Sequence, residues 1–236
     1  MTSVIRVMRA AYAAITIAGW YPRCLIQIKV LVGRPLQISK LLQQMTTLDP
    51  APKPSCNPWR YPVLAEPSHY SAIERLRNGE RVEIRALRPQ DRDELLAAVG
   101  RTSSESLYRR FFAVRRHFTE TEQSFYMDID FVSHVALVAL ADENGQPTII
   151  GGGRYVVDEP GQAEVAFTVV DKYQRQGVGA ALLQHLATIA RQAGLLELVA
   201  YVLADNRGML KVFEKSGLKY SAKRESNSVN VRLGLV

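Results

Sequence analysis

The sequence predicts one α+β domain: a mixed, mostly antiparallel sheet with a single βαβ crossover, flanked by helices. Three observations carry that prediction. Between residues 134 and 170, three apolar segments are separated by tight-turn signals, the mark of an antiparallel meander. Across residues 177–192 the apolar spacing then changes to that of a helix. An apolar strand follows at 196–202, and strand, helix, strand implies a right-handed crossover between parallel partners.

The elements follow in chain order. Residues 81–87 (RVEIRAL) set Val82, Ile84 and Ala86 against charged neighbours, a half-buried strand. Pro89 opens a helix carrying Leu95, Leu96 and Val99, which Gly100 ends. Thr102 and Glu105 form a capping box for a second helix, and Thr119 with Glu122 repeats the device for a third, ending near Asp128. Residues 134–141 (HVALVALA) make a buried strand, and Asn144-Gly145 is a hairpin signal because both residues accept positive φ. Residues 148–157 return as the second strand, 158–161 (DEPG) turn, and 163–170 (AEVAFTVV) form the third. In the long helix Ala181, Leu182, His185, Leu186, Ile189 and Ala190 share one face, with Gly194 as the stop. A last helix runs from about Arg207 to Gly217, and short strands near Tyr220 and over 229–235 close the domain.

Charge separates the chain into unlike parts. Of 30 Lys+Arg in 236 residues, six (Arg6, Arg9, Arg23, Lys29, Arg34, Lys40) precede the first acid, Asp49. The rest carries 24 bases against 23 acids, so +6 of the net +7 belongs to the N-terminal 48 residues and a basic nucleic-acid groove is not expected in the body. Residues 10–22 (AAYAAITIAGWYP) are uncharged but too short to span a bilayer; with Arg6 and Arg9 ahead of it the segment also fits a transit peptide or a membrane-surface helix, although a membrane partner is not the expectation. Residues 1–48 read as a disordered tail or a non-native start, with Met45 as the alternative initiator. Residues 49–79, holding Pro50, Pro52, Pro54, Pro58, Pro62 and Pro67, read as a linker or arm, and the folded domain is expected over 80–236. Cys24 and Cys56 form no CxxC pair, which fits a reducing, cytoplasmic setting. His69, His117, His134 and His185 have no metal-ligand spacing, so no metal is expected.

The chemistry concentrates in Tyr173-Gln174-Arg175-Gln176-Gly177-Val178-Gly179-Ala180, between the meander and the long helix. Two glycines at a helix start allow close backbone approach by a bulky anion. The unpaired amides and positive dipole end of the helix face it, and Arg175 adds a cation. A pyrophosphate suits these features. The loop is neither GxxxxGK[ST] nor a dinucleotide loop, since GVGAAL lacks a third glycine-type position.

Gln174-x-x-Gly177-x-Gly179 resembles the acyl-CoA-binding signature of the Gcn5-related N-acetyltransferases, and the element order from about residue 80 onward resembles their fold. Asn206 and the run from Phe213 to Leu218 resemble the family's second motif. Residues 104–112, Asp130-Phe131, residues 163–167 and Leu203-x-x-Asn206-x-x-Met209-Leu210 are together similar to the bacterial protein-lysine acetyltransferase domain. The resemblance covers roughly two thirds of the chain. It implies acetyl-CoA as cosubstrate, with pyrophosphate on the amides of Arg175, Gln176, Gly177, Val178, Gly179 and Ala180 and with Gln174 at the rim. Pantetheine would pair with the backbone of Phe167, Thr168 and Val169 and meet Asn206, whose other role is to cap the last helix. The implied partner is a protein with a reactive lysine, acyl-CoA synthetases among the candidates.

Glu164 is the candidate general base. It interrupts an apolar strand, where a carboxylate is costly unless paired or functional. A lysine amine, with an ordinary pKa of about 10.4, must lose a proton before it attacks a thioester. The competing role for Glu164 is an ion pair with an arginine such as Arg154. Many family members place a tyrosine seven residues after the asparagine to protonate the departing thiolate; here Phe213 stands there, a core residue by pattern, so water, Tyr201 or Ser216 takes that role or the thiolate leaves unprotonated. Transfer to a small-molecule amine and a non-catalytic acyl-CoA sensor are the alternative functions.

Overall fold

The computed structural model describes residues 66–113 and 118–236. The basic extension, Met45, both cysteines, residues 49–65 of the expected linker and His117 lie outside the described residues.

Eight strands form one sheet in the order β1-β2-β3-β4-β5-β6-β8-β7. They are β1 (Ser71–Arg75), β2 (Arg81–Ala86), β3 (His134–Glu143), β4 (Gln146–Glu159), β5 (Gln162–Val169), β6 (Glu197–Leu203), β7 (Lys219–Glu225) and β8 (Ser228–Gly234). Every pairing is antiparallel except β5 with β6. The five α-helices are α1 (Arg92–Gly100), α2 (Ser104–Phe111), α3 (Glu120–Met127), α4 (Val178–Gln192) and α5 (Arg207–Glu214). The α+β class with its crossover thus stands as expected.

The central strand explains its own composition. All residues of β3 from His134 to Ala141 are buried, because helices cover both faces of the sheet there. Side chains alternate across a strand, so Ala136, Val138, Gly152, Arg154, Ala166 and Thr168 face α1, α2 and α3. Val165, Phe167 and the hydrogens of Gly151 and Gly153 face α4 instead. Leu182, Leu183, Leu186 and Ile189 of α4 supply the buried stripe that packs there. A Cβ at Gly153 would lie 2.6 Å from the Phe167 ring and 3.0 Å from Leu186, so the close approach of β4, β5 and α4 requires glycine. The Asn144-Gly145 turn has φ of 57° and 81°, as the hairpin signal anticipated.

Two sequence expectations change. The sheet begins before residue 80: β1 pairs along its whole length with β2, from Ser71↔Arg85 to Arg75↔Arg81. Its mixed side chains hid it, because as an edge strand it buries little and alternates only between half-buried and exposed. Tyr70 Oη, 2.5 Å from His185 Nδ1, and Glu74 Oε1, 3.1 Å from His185 Nε2, fasten this edge to α4. The second correction concerns the start of α2. Ser103, not Thr102, is the cap and accepts from the Ser106 amide at 3.2 Å. Thr102 is buried and donates back to the Ala98 carbonyl at 2.9 Å, closing α1. The Thr119/Glu122 capping box of α3 forms as anticipated.

Candidate active site

The crossover makes the site. β5 and β6 pair only through Gln162↔Glu197, Ala163↔Leu198 and Glu164↔Val199. β5 continues to Val169 and β6 to Leu203, so the two strands diverge beyond Glu164 and a gap opens between them. On its other edge β5 stays paired to β4 as far as Gly151↔Val169. Residues 165–169 therefore present an edge with no strand partner on the β6 side among the described residues; the Val169 carbonyl accepts from the Gln174 side chain, and the rest of the edge can bind an extended polar chain. Phe167, Thr168 and Val169 lie on this edge. The Phe167 ring packs on Phe213 of α5 at 6.0 Å between centroids, bridging the two arms of the gap. Phe213 is 1% exposed, a core residue as its pattern implied.

At the end of β5 the chain turns into the glycine loop. Arg175 has φ 62° and Gly177, the cap of α4, has φ 108°. This left-handed pair turns the backbone so that the first amides of α4, at Val178, Gly179 and Ala180, point out of the helix end; the first intrahelical bond donor from this turn is Ala181, to the Gly177 carbonyl. Gly177 could carry a side chain only with strain, and Arg175 is exposed beside it. The Gln174 side chain does not point away: its amide donates to Val169 O at 3.0 Å and Ser106 Oγ at 2.9 Å. Gln176 donates to Lys172 O at 2.7 Å and accepts from Asn78 at 2.9 Å. Both glutamines brace the loop. Asn206 caps α5, its Oδ1 accepting from the Met209 amide at 3.2 Å, which leaves its side-chain NH2 for a ligand.

Glu164 sits where the strands part. Burial pushes its carboxyl above the ordinary carboxylate range, the Arg110 guanidinium pulls it back, and Asp158 adds to the rise. The alternative ion pair with Arg154 does not form. Arg154 donates to Tyr126 O at 3.3 Å and to His134 Nε2 at 3.1 Å, with its guanidinium 4.5 Å from the Tyr126 ring centre. His134 Nδ1 lies 3.0 Å from Asp128 O, so the ring donates there and accepts from Arg154. Burial and Arg154 lower its pKa to about 4, which keeps it neutral. Burial, and the nearby Arg110, also lower the Arg154 pKa to about 9; it remains a cation at neutral pH.

The sequence did not single out Arg110 and Arg154 as a pair. They come from α2 and β4, 44 positions apart, and line the same apolar cavity of about 90 Å³ with Phe111, Tyr126, Ala166 and Thr168. No sequence signal joins such distant cations. Tyr201 also gains a place. It lies two residues beyond Val199, the parallel partner of Glu164, and so projects on the same face at the mouth of the gap. Burial raises its pKa and the Glu164 charge adds to the rise, so its phenol stays protonated. Ser216 instead accepts from the Leu218 amide at the end of α5. Among the described residues, no group of His, Cys, Asp and Glu side chains could hold a metal ion, and no helix is long and apolar enough to cross a membrane.

The pattern of the acetyltransferase (GNAT) family matches residues 103–218. The acetyltransferase PA5475 of Pseudomonas aeruginosa is 35% identical over 138 residues, 58% of this chain and 74% of that protein. Acetyltransferase Pat of Mycolicibacterium smegmatis is 34% identical over 144 residues, 60% of this chain and 42% of that relative. The solved GNAT domain of S. lividans PAT has a TM-score of 0.63 at 33% identity, covering 70% of this chain and 96% of that domain.

Proposed function

This chain belongs to the acetyltransferase (GNAT) family, and from that premise we propose that it moves an acetyl group from acetyl-CoA to the side-chain amine of a protein lysine. The observation that carries the reading is the parting of β5 and β6 at Glu164↔Val199. Around that gap lie an open backbone edge, the desolvated Glu164 carboxylate on the face of α2 and α3, and, past the end of β5, the N-terminus of α4. A thioester whose pantetheine lies along residues 167–169 has its phosphates directed at the amides of residues 175–180.

Glu164, directly or through water, takes the proton that the lysine ammonium must lose. The neutral nitrogen then bonds to the acyl carbon, and the carbon–sulfur bond breaks. Charge develops on the acyl oxygen, which the strand amides near Val169 stabilise. The thiolate takes the Tyr201 proton, which fills the role left open by Phe213, and the second proton that the new amide nitrogen must shed returns through solvent to the Tyr201 phenolate. Arg110 and Arg154 add positive potential on this face, which favours the neutral amine over the ammonium. The lysine acceptor rests on the similarity of residues 104–112 and 163–167 to Pat-type acetyltransferases, and acyl-CoA synthetases are the substrate class that similarity suggests. The cytoplasm is the proposed location.

The test follows thiol release from acetyl-CoA with lysine-containing proteins, with peptides and with small amines, using wild type and Glu164→Gln. Release with proteins or peptides that Glu164→Gln abolishes supports the reading. Release with small amines alone replaces the acceptor class. Binding of acetyl-CoA with no transfer to any amine leaves a sensor and ends the enzymatic proposal.

A further inference from the structure

The β1–β2 hairpin lies N-terminal to the residues shared with the family pattern, yet it clasps the glycine loop. The Arg77 amide donates to the Gln176 carbonyl at 3.1 Å, and Asn78 Nδ2 donates to Gln176 Oε1 at 2.9 Å. These bonds fix the hairpin tip against the start of α4. They also set the Arg77 side chain over Gly177: a Cβ on that glycine would lie 3.8 Å from Arg77 Cγ and 4.0 Å from its Nε. Glu80 on the same hairpin is turned toward Asn78, whose Nδ2 donates to it at 3.2 Å, and Glu74 toward His185. Among the described residues Arg77 forms no ion pair, and it is an exposed residue. Arg175 flanks the same loop from within the loop itself. Two cations from separate parts of the chain thus bracket one set of outward-pointing amides.

We propose that Arg77 is a phosphate-binding residue of the acyl-CoA site, supplied by the β1–β2 hairpin to act with Arg175 and the α4 amides. The inference rests on the acyl-CoA reading above. Its chemistry is a guanidinium bonding phosphate oxygens, and coenzyme A offers two sources: the pyrophosphate and the ribose 3′-phosphate. The hairpin is accordingly part of the binding site, and the residues before the family pattern are needed for cofactor affinity.

The experiment measures equilibrium binding of CoA and of dephospho-CoA to the full chain as wild type, Arg77→Ala, Arg77→Lys and Arg175→Ala. We expect Arg77→Ala to weaken CoA binding about tenfold, with Arg77→Lys recovering part of the loss. The melting temperature without ligand stays unchanged, since the side chain is exposed. Loss with CoA but none with dephospho-CoA assigns the 3′-phosphate; equal loss with both assigns the pyrophosphate. Wild-type affinity in Arg77→Ala, with Arg175→Ala weakened, overturns this inference and leaves the acyl-CoA reading intact. If wild type binds neither compound, the acyl-CoA reading itself fails.

Discussion

The side-chain amide of Gln174 donates to Ser106 Oγ over 2.9 Å, which ties the loop before α4 to the first turn of α2. Asp171 completes the knot, accepting from Ser103 N at 2.6 Å and from the Ser103 and Ser106 hydroxyls at 2.8 Å each. The glycine loop and the helix that carries Arg110 therefore share one polar anchor. Replacing Asp171 with Ala removes these bonds together. We expect a stability loss of about 1–2 kcal/mol in denaturant melts and a raised KM for acetyl-CoA with little change in kcat.

Glu164→Gln keeps the shape and removes the proposed base. The expected outcome is a fall of about 10²–10⁴-fold in kcat with CoA binding retained, read from steady-state kinetics beside equilibrium binding. The pH profile carries a sign. Only the ionised carboxylate accepts a proton, and burial raises its pKa, so the acid limb of kcat/KM falls above the ordinary carboxylate range of about 4.3. That limb disappears in Glu164→Gln.

Tyr201→Phe separates proton donation from packing, since only the hydroxyl is lost. Transfer from acetyl-CoA is expected to slow by about tenfold or more in kcat. The phenol pKa is raised by burial and by Glu164, so the wild-type profile shows no Tyr201-dependent basic limb below about pH 10. An acyl donor with a more acidic thiol leaving group shows a smaller difference between wild type and variant.

Gly153→Ala tests the packing behind the open edge. The new Cβ meets the Phe167 ring at 2.6 Å, so β4, β5 or α4 must shift. A loss of about 1–3 kcal/mol is expected, with a raised KM for acetyl-CoA because Phe167 lies on the edge proposed to bind pantetheine. Gly145→Ala, where no atom lies within 4 Å, is the control for backbone strain alone.

Arg85 and Asp91 form a two-pronged pair at 2.7 and 2.8 Å, with side chains 9% and 12% exposed. Burial alone would raise the Asp91 pKa, but the bonds from Arg85 and from the Arg88 amide outweigh it and lower it. Its contribution to stability is therefore present above the ordinary carboxylate pKa of about 4 and is lost as the pH falls through the lower folded value. Asp91→Ala leaves the buried Arg85 charge with no carboxylate and only the Ala86 carbonyl, at 3.0 Å, to accept from it, and is expected to cost about 3–5 kcal/mol at pH 7. Equilibrium unfolding at pH 7 and pH 3 checks both statements, the gap between wild type and variant narrowing at the lower pH.

The meander, the crossover helix and the glycine loop were legible because each rests on local chemistry: the spacing of apolar residues, the positive φ of Asn144-Gly145, and the glycines at a helix start. Glu164 stood out because a carboxylate in an apolar strand is costly wherever the strand lies. Other features depend on pairings between distant residues, which no local pattern encodes. β1 is an edge strand with little to bury, so it resembled a linker until its partner β2 was known. Thr102 and Ser103 are both good caps; the position of Asp171, 68 residues on, chose between them. The approach of Arg110 to Arg154, Tyr201 to Glu164 and Arg77 to Gly177 likewise arises from sheet order and crossover. Local sequence thus determined which elements form and which residues are the candidates for anion binding and for the base. The tertiary structure decided where β5 and β6 part and which charges surround the gap, because burial and electrostatics act across space.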